Sequence, residues 1–204
     1  MMNNNAITLE ALKALIETTE MPVILLEGRR SIPEEEYEMA VAVAGFLAAK
    51  FPKVRFRSGN ATGSDEAFSK GIAAVDSSRL QVVAPYRNHR KKARFEGAAY
   101  QYPEVLSPDQ VEQIVAKTIF ASPKCSSLMG QLGKTGQLAA KADYLLRDTM
   151  KVVGFSDEFP KATAALFYVN PASPMDGGTG HTIRVCQKEG VPVVFQHEWA
   201  QWIS

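Results

Sequence analysis

The sequence is poor in cysteine and histidine, with two of the first and three of the second among 204 residues. Cys125 and Cys186 cannot build a disulfide framework, and neither a Cys-x-x-Cys pair nor a ligand-spaced histidine accompanies them, so no metal site is expected. Free thiols fit a reducing, cytoplasmic setting. An excess of one charge is also missing, since 23 basic against 22 acidic residues leave a formal charge of +1. That balance supplies no global field for nucleic acid or an acidic membrane, and such binding has to come from a local patch. Nor is there a run approaching the ~18 apolar residues of a membrane span. The opening Met1 to Ala6 is polar and uncharged rather than basic and then apolar, so a soluble, unexported protein is expected. Repeats and low-complexity tracts are absent too.

What is present is the composition of a globular chain, 46% apolar and 22% charged. Ile7, Leu9, Leu12, Leu15 and Ile16 recur at helical spacing and predict an N-terminal helical appendage within residues 1–20, ahead of one domain over 21–204. Pro22 to Leu26 is a continuous apolar run closed by Gly28 and predicts a buried strand. Ser31-Ile-Pro-Glu34 has capping-box spacing with proline in the first turn, so a helix is expected from about Pro33 to Lys50. Val54 to Arg57 reads as a strand, Ser58 to Ser64 as a small-residue loop, Asp65 to Ala74 as a helix and Leu80 to Ala84 as a third strand. Periodicity then lapses through a basic, aromatic loop until Ser107-Pro-Asp-Gln110, a second capping box, opens a helix carrying Val111, Ile114, Val115 and Ile119. With another helix from about Thr135 to Met150, residues 86–160 read as a helical insertion. Ala164 to Val169 and Val191 to Phe195 read as strands around a helix from Thr179 to Glu189, which Gly190 ends. The alternation predicts an α/β fold of three α/β/α layers, with a mostly parallel sheet of about five strands and right-handed crossovers.

In an open parallel sheet, ligands bind beyond the carboxyl ends of the strands, where strand order reverses. The residues that follow each strand are therefore the informative ones. Gly28, Arg29 and Arg30 follow the first; Ser58, Gly59, Asn60, Ala61, Thr62 and Gly63 the second; Arg87 and a basic run the third; Gly177, Gly178, Thr179, Gly180, His181 and Thr182 the fourth. Glycine lets backbone approach an anion closely, and the helix behind it points free N–H groups and a positive dipole end at that anion. Two such loops facing one crevice suggest a phosphate-bearing ligand; the alternative is that the glycines only make tight turns. Asp65 and Glu66, in a first helical turn beside the crevice, are the candidate catalytic carboxylates, or else simply complement the dipole. Gly130-Gln-Leu-Gly-Lys-Thr135 has the end of a P-loop, but Leu128 stands where the pattern needs glycine, and helix capping by Thr135 is the better account.

Gly28-Arg-Arg, Ser58-Gly-Asn-Ala-Thr-Gly-Ser-Asp65 and Gly177-Gly-Thr-Gly-His-Thr182, taken in order, resemble the SLOG superfamily of Rossmann-like proteins. That grouping includes the DNA-processing protein A (Smf) family and the LOG, or "lysine decarboxylase-like", phosphoribohydrolases. The resemblance covers residues 22–85 and 162–196 and implies a nucleotide-like ligand whose phosphate lies on the second and last glycine loops. The chain departs from both branches. Asn60 replaces the middle glycine of the DNA-processing loop, and Asp176, His181 and Arg184 replace the proline, threonine and glutamate of the hydrolase loop. The lost glutamate argues against hydrolysis.

The leading expectation is therefore a cytoplasmic protein that binds a nucleotide or nucleotide-derived ligand, with no metal or other cofactor and with no membrane partner; whether it forms a homo-oligomer is open. One alternative is a LOG-type nucleotide phosphoribohydrolase, or N-glycosidase, using Asp65 or Glu66. Another is DNA binding through Arg87-Asn-His-Arg-Lys-Lys-Ala-Arg94, which carries five basic residues in eight but also reads as a solvated face.

Overall fold

The computed structural model describes residues 7–203. Residues 1–6, whose polar character argues above against an export signal, lie outside the described residues. Six parallel strands form one sheet in the order β4-β3-β2-β1-β5-β6, one strand more than the sequence suggests. They are β1 (Val23–Gly28), β2 (Arg55–Ser58), β3 (Leu80–Val83), β4 (Ala99–Gln101), β5 (Ala164–Tyr168) and β6 (Val193–Phe195). The additional strand is β4, a three-residue edge strand paired with β3 inside the stretch that reads as a loop. Its short, half-exposed sequence Ala-Tyr-Gln has too few residues to show a period of two.

The order reverses between β1 and β5, the topological switch point. From there α2 (Glu34–Lys50) and α3 (Ser64–Asp76) cross toward β3, while α7 (Gly177–Glu189) crosses the other way to β6. Right-handed crossovers in opposite directions cover opposite faces. Alternation along β1 follows, with Ile24 and Leu26 in one core beside Val43, Leu47, Phe68 and Ile72, and Leu25 in another beside Phe167, Ile183 and Cys186. The helix α1 (Leu9–Glu17) buries Leu12 and Ile16 in the first core. The short C-terminal α8 (Gln196–Trp199) adds Trp199, whose indole N–H donates to the Phe167 carbonyl at 3.1 Å. The stretch 86–160 contributes β4, α4 (Pro108–Ala121), the one-turn α5 (Ser126–Met129) and α6 (Gln137–Val153). Together α4 and α6 bury Ile114, Leu146 and Met150 against Val83 on the α7 side of the sheet.

Local signals were met unevenly. The Ser107 box is formed, its hydroxyl accepting from Gln110 N at 3.3 Å while Gln110 Oε1 accepts from Ser107 N at 2.9 Å. Ser31 does not cap α2. The N-cap is Pro33, without a side-chain bond, and Glu34, Glu35 and Glu36 in the first turn complement the dipole instead. Likewise α6 starts from Gly136, whose positive φ of 103° favours glycine, so Thr135 is not its cap.

One charged side chain lies wholly inside. Arg57, on β2, is fully buried, and burial pulls its pKa down to about 9. Its guanidinium donates to Gln81 Oε1 at 2.7 and 3.1 Å and to the Lys151 carbonyl at 2.9 Å, with Phe159 beneath it. The Lys151 carbonyl is among those the last turn of α6 leaves without an intrahelical donor, so Arg57 satisfies that helix end from within the sheet. Truncation would open a void and orphan two buried acceptors. We expect Arg57→Ala to cost about 3 kcal/mol in urea unfolding, and a loss under ~1 kcal/mol would show that the contact contributes little.

Candidate functional site

At the switch point the ends of β1 and β5 approach closely, because a Cβ on Gly28 would overlap the Tyr168 carbonyl. Beyond them opens a cavity of about 620 Å³, within the usual range for small-ligand sites. Its walls include Glu27 and Gly28 at the end of β1 with Arg29 and Arg30 beyond it, Ala61 and Asp65 around the start of α3, Gly177 to Thr179 at the start of α7, and Lys141, Tyr144, Arg147, Asp148 and Lys151 along one side of α6. Spacings of three and four residues bring those α6 side chains to the same face.

The floor is a buried charge network. Lys151 Nζ lies 2.5 Å from Glu27 Oε2 and 2.9 Å from Asp148 Oδ1, and Arg147 Nε is 3.2 Å from the same Asp148 oxygen. The other oxygen of Glu27 accepts from Thr182 Oγ1 at 3.0 Å. Asp65 completes the set as the third carboxylate facing two cations. Burial pushes the Glu27 carboxyl up to about 7, more than the Lys151 ammonium beside it pulls down. Burial acts the same way on Asp148, but Lys151 and Arg147 outweigh it and hold that carboxyl below its ordinary range. The two carboxylates that flank Lys151 thus differ, Asp148 favouring its charged form and Glu27 exchanging a proton near neutrality.

The two glycine loops differ in what they offer. Around the start of α3, Asp65 Oδ1 accepts from Gly28 N at 3.2 Å, and its Oδ2 accepts from Gly59 N at 3.2 Å and Ala61 N at 3.3 Å. Ser64 N is bonded to the Arg29 carbonyl. A protein carboxylate thus occupies the anion position of that loop. Arg147 reinforces it by donating to the Gly59 carbonyl at 3.0 Å, and any side chain at position 59 would overlap that guanidinium. The start of α7 is open. Its N-cap Asp176 makes no side-chain bond, and the Gly177, Gly178 and Thr179 amides, in the first turn, have no intrahelical acceptor.

Of the residues singled out in the sequence, Gly28, Arg29, Arg30, Ala61, Asp65, Gly177, Gly178 and Thr179 meet at the cavity. Others do not line it. Ser58, Gly59 and Asn60 are buried behind it, Gly63 packs under the Arg29–Arg30 backbone and Thr62 donates to the Arg30 carbonyl. Glu66 turns away to Arg90, at 2.6 Å. Arg87 lies at the surface with Glu104, 3.3 Å away. Gly180 packs on Met175, and Thr182 reaches the site only through Glu27. His181 is buried between Ser122 Oγ at 2.9 Å and Thr149 Oγ1 at 3.1 Å, and burial pulls its pKa to about 4, so it is a neutral packing group. Arg184 points away as well, to Ser122 and the Met175 carbonyl. Among the described residues no cluster of histidine, cysteine, aspartate or glutamate is placed to hold a metal ion, and no helix is long and apolar enough to cross a membrane.

Sequence reasoning missed Glu27, Tyr144, Arg147, Asp148 and Lys151. Glu27 had a signal, as the one charge in an otherwise apolar strand. The α6 residues had a weaker one, since Arg147, Asp148 and Lys151 share the buried stretch of the helix with Leu146 and Met150.

No family model matches the chain, and no curated protein matches it. Among solved structures it is similar to DNA processing protein A from Helicobacter pylori, described for its single-stranded DNA binding mode. Identity is 12% and the TM-score 0.46, over 89% of this chain and 67% of that one.

Glu27 contributes a pH dependence of definite sign to stability. Below about pH 4.5 Glu27 is protonated folded or unfolded, and the contribution of its raised pKa is fully present. As pH rises through about 7 the unfolded chain has already released that proton and the folded one must follow, so the Glu27 contribution declines, while that of the buried His181 changes in the opposite direction at lower pH. Glu27→Gln is expected to flatten this decline. Urea unfolding at about pH 5 and about pH 8 checks it, and an equal decline in both proteins would place the titration elsewhere.

Proposed function

We propose that the protein binds a nucleotide or nucleotide-derived ligand through its phosphate, in the cavity at the carboxyl ends of β1 and β5. One observation carries this reading: of two glycine loops at the crevice, the start of α7 is uncapped and faces the cavity, whereas the start of α3 is filled by Asp65. Amide groups at a helix N-terminus together with cationic side chains are a general recipe for holding phosphate. Arg29, Arg30 and Lys141 supply the cations, lining the cavity while having no carboxylate within ion-pair distance among the described residues. Calorimetric titration with ribose 5-phosphate tests the site. Arg29→Ala and Lys141→Ala are each expected to weaken binding about tenfold, in line with the loss of a charge-assisted hydrogen bond. Unchanged affinity in the double variant would refute the assignment, as would phosphate density on residues 130–135.

Cleavage of an N-glycosidic bond is a second reading, favoured by the proton-holding Glu27 on the cavity wall. Asp65 is committed to three backbone amides and Glu66 to Arg90, which leaves Glu27 as the acid. It would give its proton to the departing base as the C1′–N bond breaks, while water adds at the anomeric carbon and returns a proton to the Glu27 carboxylate. Free base is then expected from a nucleoside monophosphate, and not with Glu27→Gln. No release by the unaltered protein leaves binding alone.

Long nucleic acid fits less well. Within the basic run Arg90 and Arg94 are held by Glu66 and Tyr102, leaving Lys91, Lys92 and Arg87 exposed, the last in a surface pair with Glu104. Single-stranded DNA is expected to bind weakly, with a log–log salt slope far shallower than the roughly −3.5 of five phosphate contacts. A slope near that value would support DNA binding.

A further inference from the structure

Beside the cavity, past Arg147, lies a smaller branch of about 190 Å³ whose lining includes Arg30, Thr62, His89, Arg90, Tyr144 and Arg147. Arg30, Ala61, Tyr144 and Arg147 line both spaces, which places the branch next to a ligand held at the start of α7.

The chemistry changes along the way. In the main cavity Arg29 and Lys141 bring unpaired charge. In the branch Arg90 is neutralised by Glu66 at 2.6 Å, and Arg147 by Asp148 at 3.2 Å. What the branch offers instead is flat surface. The Tyr144 ring has the Arg30 guanidinium 5.7 Å from its centre and that of Arg147 at 5.4 Å. His89 meets the same ring edge-on at 6.3 Å and the half-exposed Tyr86 at 5.4 Å. Aromatic rings and guanidinium planes are the surfaces on which unpaired heteroaromatic bases stack.

The polar groups there are neutral and directional. Burial pulls the His89 pKa below its ordinary value, so the imidazole is uncharged at neutral pH. Its Nε2 lies 3.2 Å from the Asn60 carbonyl, which can only accept, so Nε2 carries the proton and Nδ1 is left as a lone-pair acceptor. The side-chain nitrogen of Asn60, in the loop whose next two residues line the branch, is a buried donor with no partner in the protein.

We propose that the branch at Tyr144 and His89 is a nucleobase subsite, so that the ligand of the main cavity is a mononucleotide whose base stacks on Tyr144 beside Arg30. The inference rests on the phosphate-binding reading for the identity of the whole ligand, and the test separates the two.

Calorimetric titration compares adenosine 5′-monophosphate, ribose 5-phosphate, ribose 1,5-bisphosphate and adenosine. The mononucleotide is expected to bind about tenfold more tightly than ribose 5-phosphate, the scale of one base–aromatic stack. Tyr144→Leu removes most of that advantage and Tyr144→Phe restores it. His89→Ala, which touches the branch alone, weakens mononucleotide binding severalfold and leaves ribose 5-phosphate affinity unchanged, which also reports an intact fold. Equal affinities for mononucleotide and ribose 5-phosphate would overturn the base subsite and leave the phosphate site standing. Tightest binding of the bisphosphate would overturn it too, making the branch a second anion site. Adenosine binding that depends on Tyr144, with no binding of ribose 5-phosphate, would uphold the base subsite and refute the phosphate reading. No binding of any of the four refutes both.

Discussion

A lysine ammonium with 1% of its side chain exposed has lost nearly all its hydration, and the structure has to replace it. Such burial costs several kcal/mol per ion unless partners are held in good geometry. For Lys151 those partners are Glu27, at the end of the central strand, and Asp148, one turn back on its own helix. The pairing obliges α6 to lie across the end of β1, and Arg57 holds the same residue's carbonyl from the sheet side. Because α6 is fixed there, its face becomes one wall of the cavity at the switch point, and the chain's longest excursion between strands lines that cavity.

Neutralisation inside the network decides where an anion is attracted. Lys151 and Arg147 are already matched by Glu27 and Asp148, so the floor contributes shape and a titratable proton more than field. Net attraction falls to the rim, to Arg29, Arg30 and Lys141 and to the open amides of α7. The same logic separates the two glycine loops. Asp65 sits where an anion could be held at the start of α3, linking Gly28, Gly59 and Ala61 across two strand ends, and its role is to hold those loops in register.

The basic run after β3 follows this pattern of internal pairing. Arg90 adopts a left-handed backbone conformation that turns it back onto Glu66 and the Asn60 carbonyl, while Arg94 lies over Tyr100 and bonds Tyr102 and the Arg87 carbonyl. Five charges adjacent in sequence are thereby divided between a cavity wall, a packing site and the surface. Clustering along the chain is a poor guide to clustering in space where the backbone bends within a few residues.

Much of the architecture was legible in the residues. Apolar runs of strand length, helical periodicity, the Ser107–Gln110 cap and the glycine that ends α7 all act within a few positions, and local patterns record them. That Gly28 and the Gly177 loop face the crevice was legible for the same reason, since strand-to-helix turns have a local signature. The three-residue β4 was not, because its order comes from pairing with β3. Nor was the pairing of Glu27 with Lys151, which stand 124 residues apart. Local periodicity reports which side of an element is buried. Which distant charge meets a buried one, and which of two similar loops stays open to a ligand, is set by how the crossovers bring β1, α6 and α7 to one point in space.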